Sequence, residues 1–282
     1  MIRIVEVGPR DGLQSEKTTI PTDVKVAYID ALSSAGLQEI EAGAFVSPRW
    51  VPQLADAEAV FQKIRRAPGV TYSALVPNLQ GLERAVTARV DKVAVFTAAS
   101  ETFNRHNINA TIEESIARFG PVIAEARRRR LPVRGYVSTA FWCPYEGRIS
   151  PERAVEVCRR LADAGVDEIS VGDTIGKAAP AEVRAFLELA RTVVPVERLA
   201  MHFHDTFHRA VENILESWKM GVMTFDSSAG GIGGCPYAPG ASGNVATEAV
   251  VEALKQAGAE VRVDLAALAA ARRIVAPALG RR

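Results

Sequence analysis

Eight short β-branched runs recur along the chain, each followed by a stretch with helical periodicity, and this repeat restricts the fold more than any other feature. The runs are residues 2–7, 39–42, 71–76, 92–96, 133–138, 168–172, 199–204 and 223–227. Between them, residues 22–35, 52–66, 79–88, 112–130, 151–164, 180–193 and 210–220 carry apolar side chains at three- and four-residue spacing. Ser150-Pro151-Glu152 reads as a helix start, while Gly36, Gly165, Gly221 and Gly258 sit where helices should stop. Strand–helix alternation with short connections predicts a parallel sheet, and eight repeats predict its closure into an α/β (β/α)8 TIM barrel. An open doubly wound sheet is the rival architecture. Its dinucleotide fingerprint is missing, because the chain reads Gly8-Pro9-Arg10-Asp11-Gly12 after the first run. No linker or composition break divides the 282 residues, which suits one barrel domain over 1–282; residues 264–279 read as an extra C-terminal helix outside it.

Composition narrows the function. Hydrophobic residues make up 48%, enough for a large core, and 34 basic against 33 acidic residues give no overall field for nucleic acid or an anionic membrane. The run Arg127 to Arg130 falls late in a helix, where a solvated, dipole-favoured turn explains it. Cys143, Cys158 and Cys235 are too few and scattered for a disulfide framework. The chain opens directly into a strand-like run, and no apolar stretch approaches the roughly 18 residues of a membrane span. A cytoplasmic protein is expected.

In a barrel of this type, chemistry gathers at the C-terminal ends of the strands. Here those ends hold Arg10 and Asp11, then Glu41, then Asp173 and Thr174, then His202 and His204, then Ser227 and Ser228. His202-Phe203-His204 uses two of only four histidines, and on a strand that spacing turns both imidazoles to one face. Two core histidines satisfied by hydrogen bonds would read the same way. With Asp11 they form a one-oxygen, two-nitrogen set that suits a six-coordinate divalent cation, Mg or Mn rather than structural Zn. A non-haem iron site has the same ligand types, so the set leaves the metal open. Glu41 and Asp173 are candidate acceptors to orient the arginine and the imidazoles.

The glycine-dense segment 229–244 follows the eighth run. It is too long for a phosphate cradle and lacks Gly-Lys-Ser/Thr, so a lid over the barrel mouth is the better expectation. Cys235 lies inside it between glycine and proline, unlike a core cysteine such as Cys158, and is expected to be a functional thiol, proton donor or nucleophile. Cys143, near the same rim, is expected at most to line the pocket.

Taken together, the motifs resemble the 3-hydroxy-3-methylglutaryl-CoA lyase family along nearly the whole chain. The resemblance rests on Val5-Glu6-Val7-Gly8-Pro9-Arg10-Asp11-Gly12-Leu13-Gln14, Phe45-Val46-Ser47-Pro48 with Trp50-Val51-Pro52-Gln53, Arg134-Gly135-Tyr136-Val137-Ser138, Cys143-Pro144-Tyr145-Glu146-Gly147, Gly172-Asp173-Thr174-Ile175-Gly176 and Gly233-Gly234-Cys235-Pro236-Tyr237. It implies a metal-dependent lyase of leucine degradation and ketone-body formation, cleaving its acyl-CoA to acetyl-CoA and acetoacetate without an organic cofactor. It further implies Asp11, His202, His204 and Asn244 as metal ligands, Asp11 or His202 as base, Arg10 at the enolate and Cys235 as proton donor. Glu41 and Glu248 would be supporting carboxylates, and Gln14 and Lys17 would face the acyl or CoA portion.

The chain departs from the family's pattern at Thr206-Phe207-His208-Arg209 and Ala140-Phe141-Trp142, where an added His and Trp near the rim are expected to reshape the acyl pocket. One rival is therefore a lyase for a longer branched acid, such as the isohexenyl homologue. Another is a Claisen-type synthase, against which Cys235 and the chain length weigh. A non-catalytic metal-binding protein has no need for so many polar strand ends. No nucleic acid or membrane partner is expected; a homodimer is suggested by analogy alone.

Overall fold

The eight β-branched runs pair as parallel neighbours in chain order, and the last returns to the first. They are β1 (Arg3–Glu6), β2 (Glu39–Ala44), β3 (Thr71–Leu75), β4 (Lys92–Ala98), β5 (Val133–Ser138), β6 (Glu168–Asp173), β7 (Leu199–Phe203) and β8 (Thr224–Ser227). The computed structural model describes residues 1–233 and 243–280, and the strands form a closed barrel, as the alternation predicts. Helix Pro151–Ala164 illustrates how the outer layer forms. Ser150 accepts a hydrogen bond from the Arg153 amide (3.3 Å), Pro151 needs no amide partner in the first turn, and Ala154, Val155, Val157, Cys158 and Leu161 make the buried stripe. Gly165 ends it at φ 96°, where a Cβ would be strained.

Among the described residues, local elements differ from the sequence pattern at several places, including an antiparallel two-stranded sheet of Trp142–Cys143 and Gly147–Arg148. The stretch 52–66 breaks into a 3-10 turn, Pro52–Leu54, and a helix, Ala57–Lys63, with buried Gln53 tied to the Ile20 amide (3.0 Å) and the Thr18 carbonyl (2.8 Å). A further helix, Glu101–Ile108, follows β4, started by Ser100, which accepts from the Phe103 amide (3.0 Å). Its eight residues are too few and too polar to register as a periodic stripe. After β1, Gly8–Gly12 coils into a single π-helical turn in which the Val7 carbonyl accepts from the Arg10, Asp11 and Gly12 amides (3.2, 2.8 and 3.2 Å). The C-terminal helix, Leu265–Val275, is capped by Asp264 and packs on helix Thr22–Ser33 outside the barrel, followed by the 3-10 turn Ala276–Leu279. Among the described residues, no helix is long and apolar enough to cross a membrane.

The main apolar core lies between strands and helices. The barrel axis is different. Alternation points Arg3, Glu39, Lys92, Arg134, Glu168 and Asp226 inward, and five of these six are buried, all but Arg3. Lys92 Nζ donates to Glu39 and Glu168 (2.9 Å each), Arg134 pairs with Glu168 (3.2 Å) and Asp226 (2.5 Å), and Arg3 bridges Glu39 (3.2 Å) and Glu168. Three cations and three anions thus fill the lower barrel, where bulky aliphatic layers are commoner. Burial brings the Lys92 ammonium down to about 8, against the pull of Glu39. Removing one partner strands the others out of water, so Lys92→Met should lower the unfolding free energy by about 3–5 kcal/mol in urea titrations. A loss below about 1 kcal/mol would mean that the network is effectively solvated.

Candidate active site

The C-terminal end of the barrel opens into a cavity of about 660 Å³. Arg10, Asp11, Gln14, His202 and His204 line its floor, while Phe96 and Tyr136 form part of its wall. The π-helical turn delivers Arg10 and Asp11 to the mouth side by side. Arg10 Nε and Nη2 both reach Glu41 Oε2 (2.6 Å each), and Nη1 donates to Asp11 Oδ1 (2.6 Å). The guanidinium also lies 5.3 Å from the centre of the Tyr136 ring, whose other neighbour is Arg134 at 5.1 Å. Burial works against the charge on Arg10, but Glu41 and Asp11 hold it above its ordinary range. It is a permanent, oriented cation.

Asp11, His202 and His204 each bring a ligand atom within 4.8 Å of the others. Gln14 Nε2 donates to Asp11 Oδ1 (3.0 Å), and Asn244 Nδ2 donates to Asp11 Oδ2 (2.9 Å). Burial alone would raise the Asp11 carboxyl; Arg10 and then the two imidazoles bring it down to about 2. Burial, helped by the neighbouring His202, lowers His204 to about 4. An ionised carboxylate and a neutral imidazole are the forms that bind metals. Two buried atoms in this group, His204 Nδ1 and Asn244 Oδ1, have no hydrogen-bond partner. Unpaired buried polar atoms are costly, and a cation would satisfy both. The donor set therefore fits a divalent ion.

Asn244 reaches Asp11 because its segment folds back onto the end of β7. The Asp205 amide donates to the Gly243 carbonyl (2.7 Å) and the Val245 amide to the Phe203 carbonyl (3.2 Å). Gly233, at φ 118°, runs so close that a Cβ there would sit 2.7 Å from Asn244 Nδ2. Glu248, in the first turn of helix Thr247–Gln256, accepts from the Gly230 amide (2.8 Å) and so braces the start of the glycine-dense segment. Cys235, with the rest of residues 234–242 and hence most of the expected lid, lies outside the described residues.

Several expected placements change. Asp173 does not orient an imidazole: its two carboxylate oxygens accept from the Lys177 (3.2 Å) and Ala178 (2.9 Å) amides, and burial raises it to about 6. It is one residue out of phase with inward Glu168 and Ser170, so its side chain turns away from the axis. Asp226 on β8 is the carboxylate that meets His202, Oδ2 to Nδ1 at 3.3 Å. The only hint of it in the sequence was an acid in an otherwise buried strand. Gln14 lines the cavity, whereas Lys17 is exposed and outside the lining. Cys143 is buried against Ser100 Oγ (3.0 Å) and does not line the cavity either. Trp142 and His208 are also outside it; Trp142 bonds Glu182 (3.1 Å) beneath Lys177, and His208 is 86% exposed. The histidine at the outer wall is His106, stacked on Tyr145 at 4.6 Å.

The profile of the HMGL-like family matches residues 1–275. A protein named 3-hydroxy-3-methylglutaryl-CoA lyase, cytoplasmic, from Rattus norvegicus is 52% identical over 264 residues, covering 94% of this chain and 77% of the relative. The chain belongs to the hydroxymethylglutaryl-CoA lyase family. It is also similar to a hydroxymethylglutaryl-CoA lyase, mitochondrial, from Gallus gallus, at 50% identity over 281 residues, 100% of this chain and 94% of that one. A crystal structure of hydroxymethylglutaryl-CoA lyase from Pseudomonas aeruginosa superposes with a TM-score of 0.97 at 49% identity, covering 100% of this chain and 94% of its own. For this member of the family, His204→Ala should weaken Mn²⁺ binding more than about tenfold in isothermal titration calorimetry. Undiminished affinity would take His204 out of the ligand set.

Proposed function

We propose that this lyase-family chain cleaves 3-hydroxy-3-methylglutaryl-CoA to acetyl-CoA and acetoacetate with a divalent cation, Mg or Mn, held by Asp11, His202, His204 and Asn244. The observation that carries the reading is the Asp11–His202–His204 cluster on the cavity floor with Arg10 beside it. When bound, the cation supplies Lewis acidity toward the substrate's hydroxyl and carboxylate oxygens. Asp11 or His202 accepts the proton of the tertiary hydroxyl. That oxygen's electrons close to the carbonyl of acetoacetate, the adjacent carbon–carbon bond breaks, and the pair leaves as the enolate of the acetyl thioester. Arg10, locked between Glu41 and Asp11, offers its guanidinium to the enolate oxygen. Cys235 then protonates the enolate carbon, completing acetyl-CoA.

Glu41 holds Arg10, Glu248 holds the start of the glycine-dense segment, and Asp173 acts at one remove: its carbonyl accepts from the His204 amide (3.3 Å). Gln14, in the cavity lining, and Lys17, outside it, face the acyl or CoA portion of the substrate. The departures that favoured a longer branched acid, at Trp142 and His208, stand outside the cavity lining, which supports the methyl-branched substrate. On this reading the reaction is the carbon–carbon cleavage of leucine degradation that the family resemblance implies. Relatives are named both cytoplasmic and mitochondrial; the scattered cysteines favour the cytoplasm, and assembly as a homodimer rests on analogy.

Metal-stripped protein should release acetyl-CoA from 3-hydroxy-3-methylglutaryl-CoA only when Mg²⁺ or Mn²⁺ is restored. No release by folded, metal-loaded protein would reject the substrate. Cys235→Ser should cut kcat about 10²–10⁴-fold while leaving Mn²⁺ affinity in place; unchanged turnover would remove the thiol from the mechanism.

A further inference from the structure

The lower barrel's charge network reaches the site through one side chain. Asp226 is 1% exposed and pairs in register with His202 across β7 and β8, so both point to the axis at the same level. Its Oδ1 accepts from Arg134 Nη2 (2.5 Å); its Oδ2 accepts from Ser170 Oγ (2.8 Å) and faces His202 Nδ1 (3.3 Å). Arg134, Ser170, His202 and Asp226 come from β5, β6, β7 and β8, so four consecutive strands fix the carboxylate. Its three neighbours are all suited to donate, and an ionised carboxylate can only accept.

We propose that Asp226 is the positioning residue of His202, keeping a proton on Nδ1 and so presenting Nε2 to the cation. This rests on the reading of Asp11, His202 and His204 as a metal site. A ligating imidazole needs its second nitrogen engaged by an acceptor, which fixes both ring orientation and the nitrogen that carries hydrogen. The sequence offers Asp173 for that task, but Asp173 is committed to the amides after β6. Arg134 and Ser170 in turn prevent Asp226 from rotating.

Asp226→Asn keeps the shape and reverses the polarity. Arg134 can only donate, so the Asn oxygen must face it. The Asn NH₂ then faces His202 Nδ1 and donates to it, which moves the ring hydrogen to Nε2 and blocks that nitrogen as a ligand. Mn²⁺ affinity, read from the free-ion electron paramagnetic resonance signal, should fall about 10–100-fold. The same substitution in a His202→Ala background should cost no further affinity, because its effect passes through His202. Unchanged Mn²⁺ binding by folded Asp226→Asn, or an equal loss in both backgrounds, would overturn the proposal.

A measurement on the unmutated protein covers the case in which the variant fails to fold. Long-range ¹H–¹⁵N correlation of the imidazoles, of which there are four in the chain, should show hydrogen on His202 Nδ1 in the metal-free state. An unprotonated Nδ1 would refute the assignment. If the unmutated protein fails to bind Mn²⁺, the metal-site reading fails by itself, and the ring-nitrogen spectrum still decides the role of Asp226.

Discussion

Charge buried along the barrel axis is the constraint on which the rest of this structure depends. A lone ion moved into a protein interior loses several kcal/mol of hydration even after relaxation, and pairing recovers this only when the geometry is good. Lys92, Arg134, Glu39, Glu168 and Asp226 satisfy that condition together, each within hydrogen-bond or ion-pair reach of at least one opposite charge. Every one of these groups sits on a different strand. The pairs therefore hold only if strand order and stagger are right, and an aliphatic barrel interior would impose no such demand.

The same chain of charge continues upward into the cavity. The Arg134 and Arg10 guanidiniums lie 5.1 and 5.3 Å from the centre of the Tyr136 ring, while Asp226 joins Arg134 to His202. His202 is thus anchored from beneath by strands. That matters for Asp11 and His204, which are both held deprotonated but for different reasons: Arg10 and the imidazoles keep the carboxyl ionised against its burial, and burial keeps the imidazole neutral. Rigid placement lets both displacements coexist within a few ångströms.

Connections supply what strands cannot. The π-helical turn after β1 stacks three amides on one carbonyl, which turns Arg10 and Asp11 toward the axis within a few residues of the strand end. The return of residues 243–245 onto β7 brings Asn244 across a sequence separation of 233 to Asp11. Glu6, buried outside the barrel axis, ties the two together by accepting from the Gly8 and Ala229 amides (2.9 Å each) and from Thr247 Oγ1 (2.7 Å).

The sequence by itself determined the eight-fold alternation, the strand 133–138 and helix 151–164 to the residue, and the polar strand ends that hold Arg10, Asp11, Glu41, His202 and His204. Those signals are local: period two and period 3.6 report which face of an element is apolar, and caps report where it starts. Only the tertiary structure decided that Asp226 and not Asp173 meets His202, and that His106 and not His208 borders the cavity. Periodicity does not say which residue of one strand lies level with which residue of its neighbour. Barrel stagger does, and it is set by all eight strands at once. A one-residue difference in phase turns a carboxylate from the axis to a backbone turn, and a choice of that size is made by packing across the barrel.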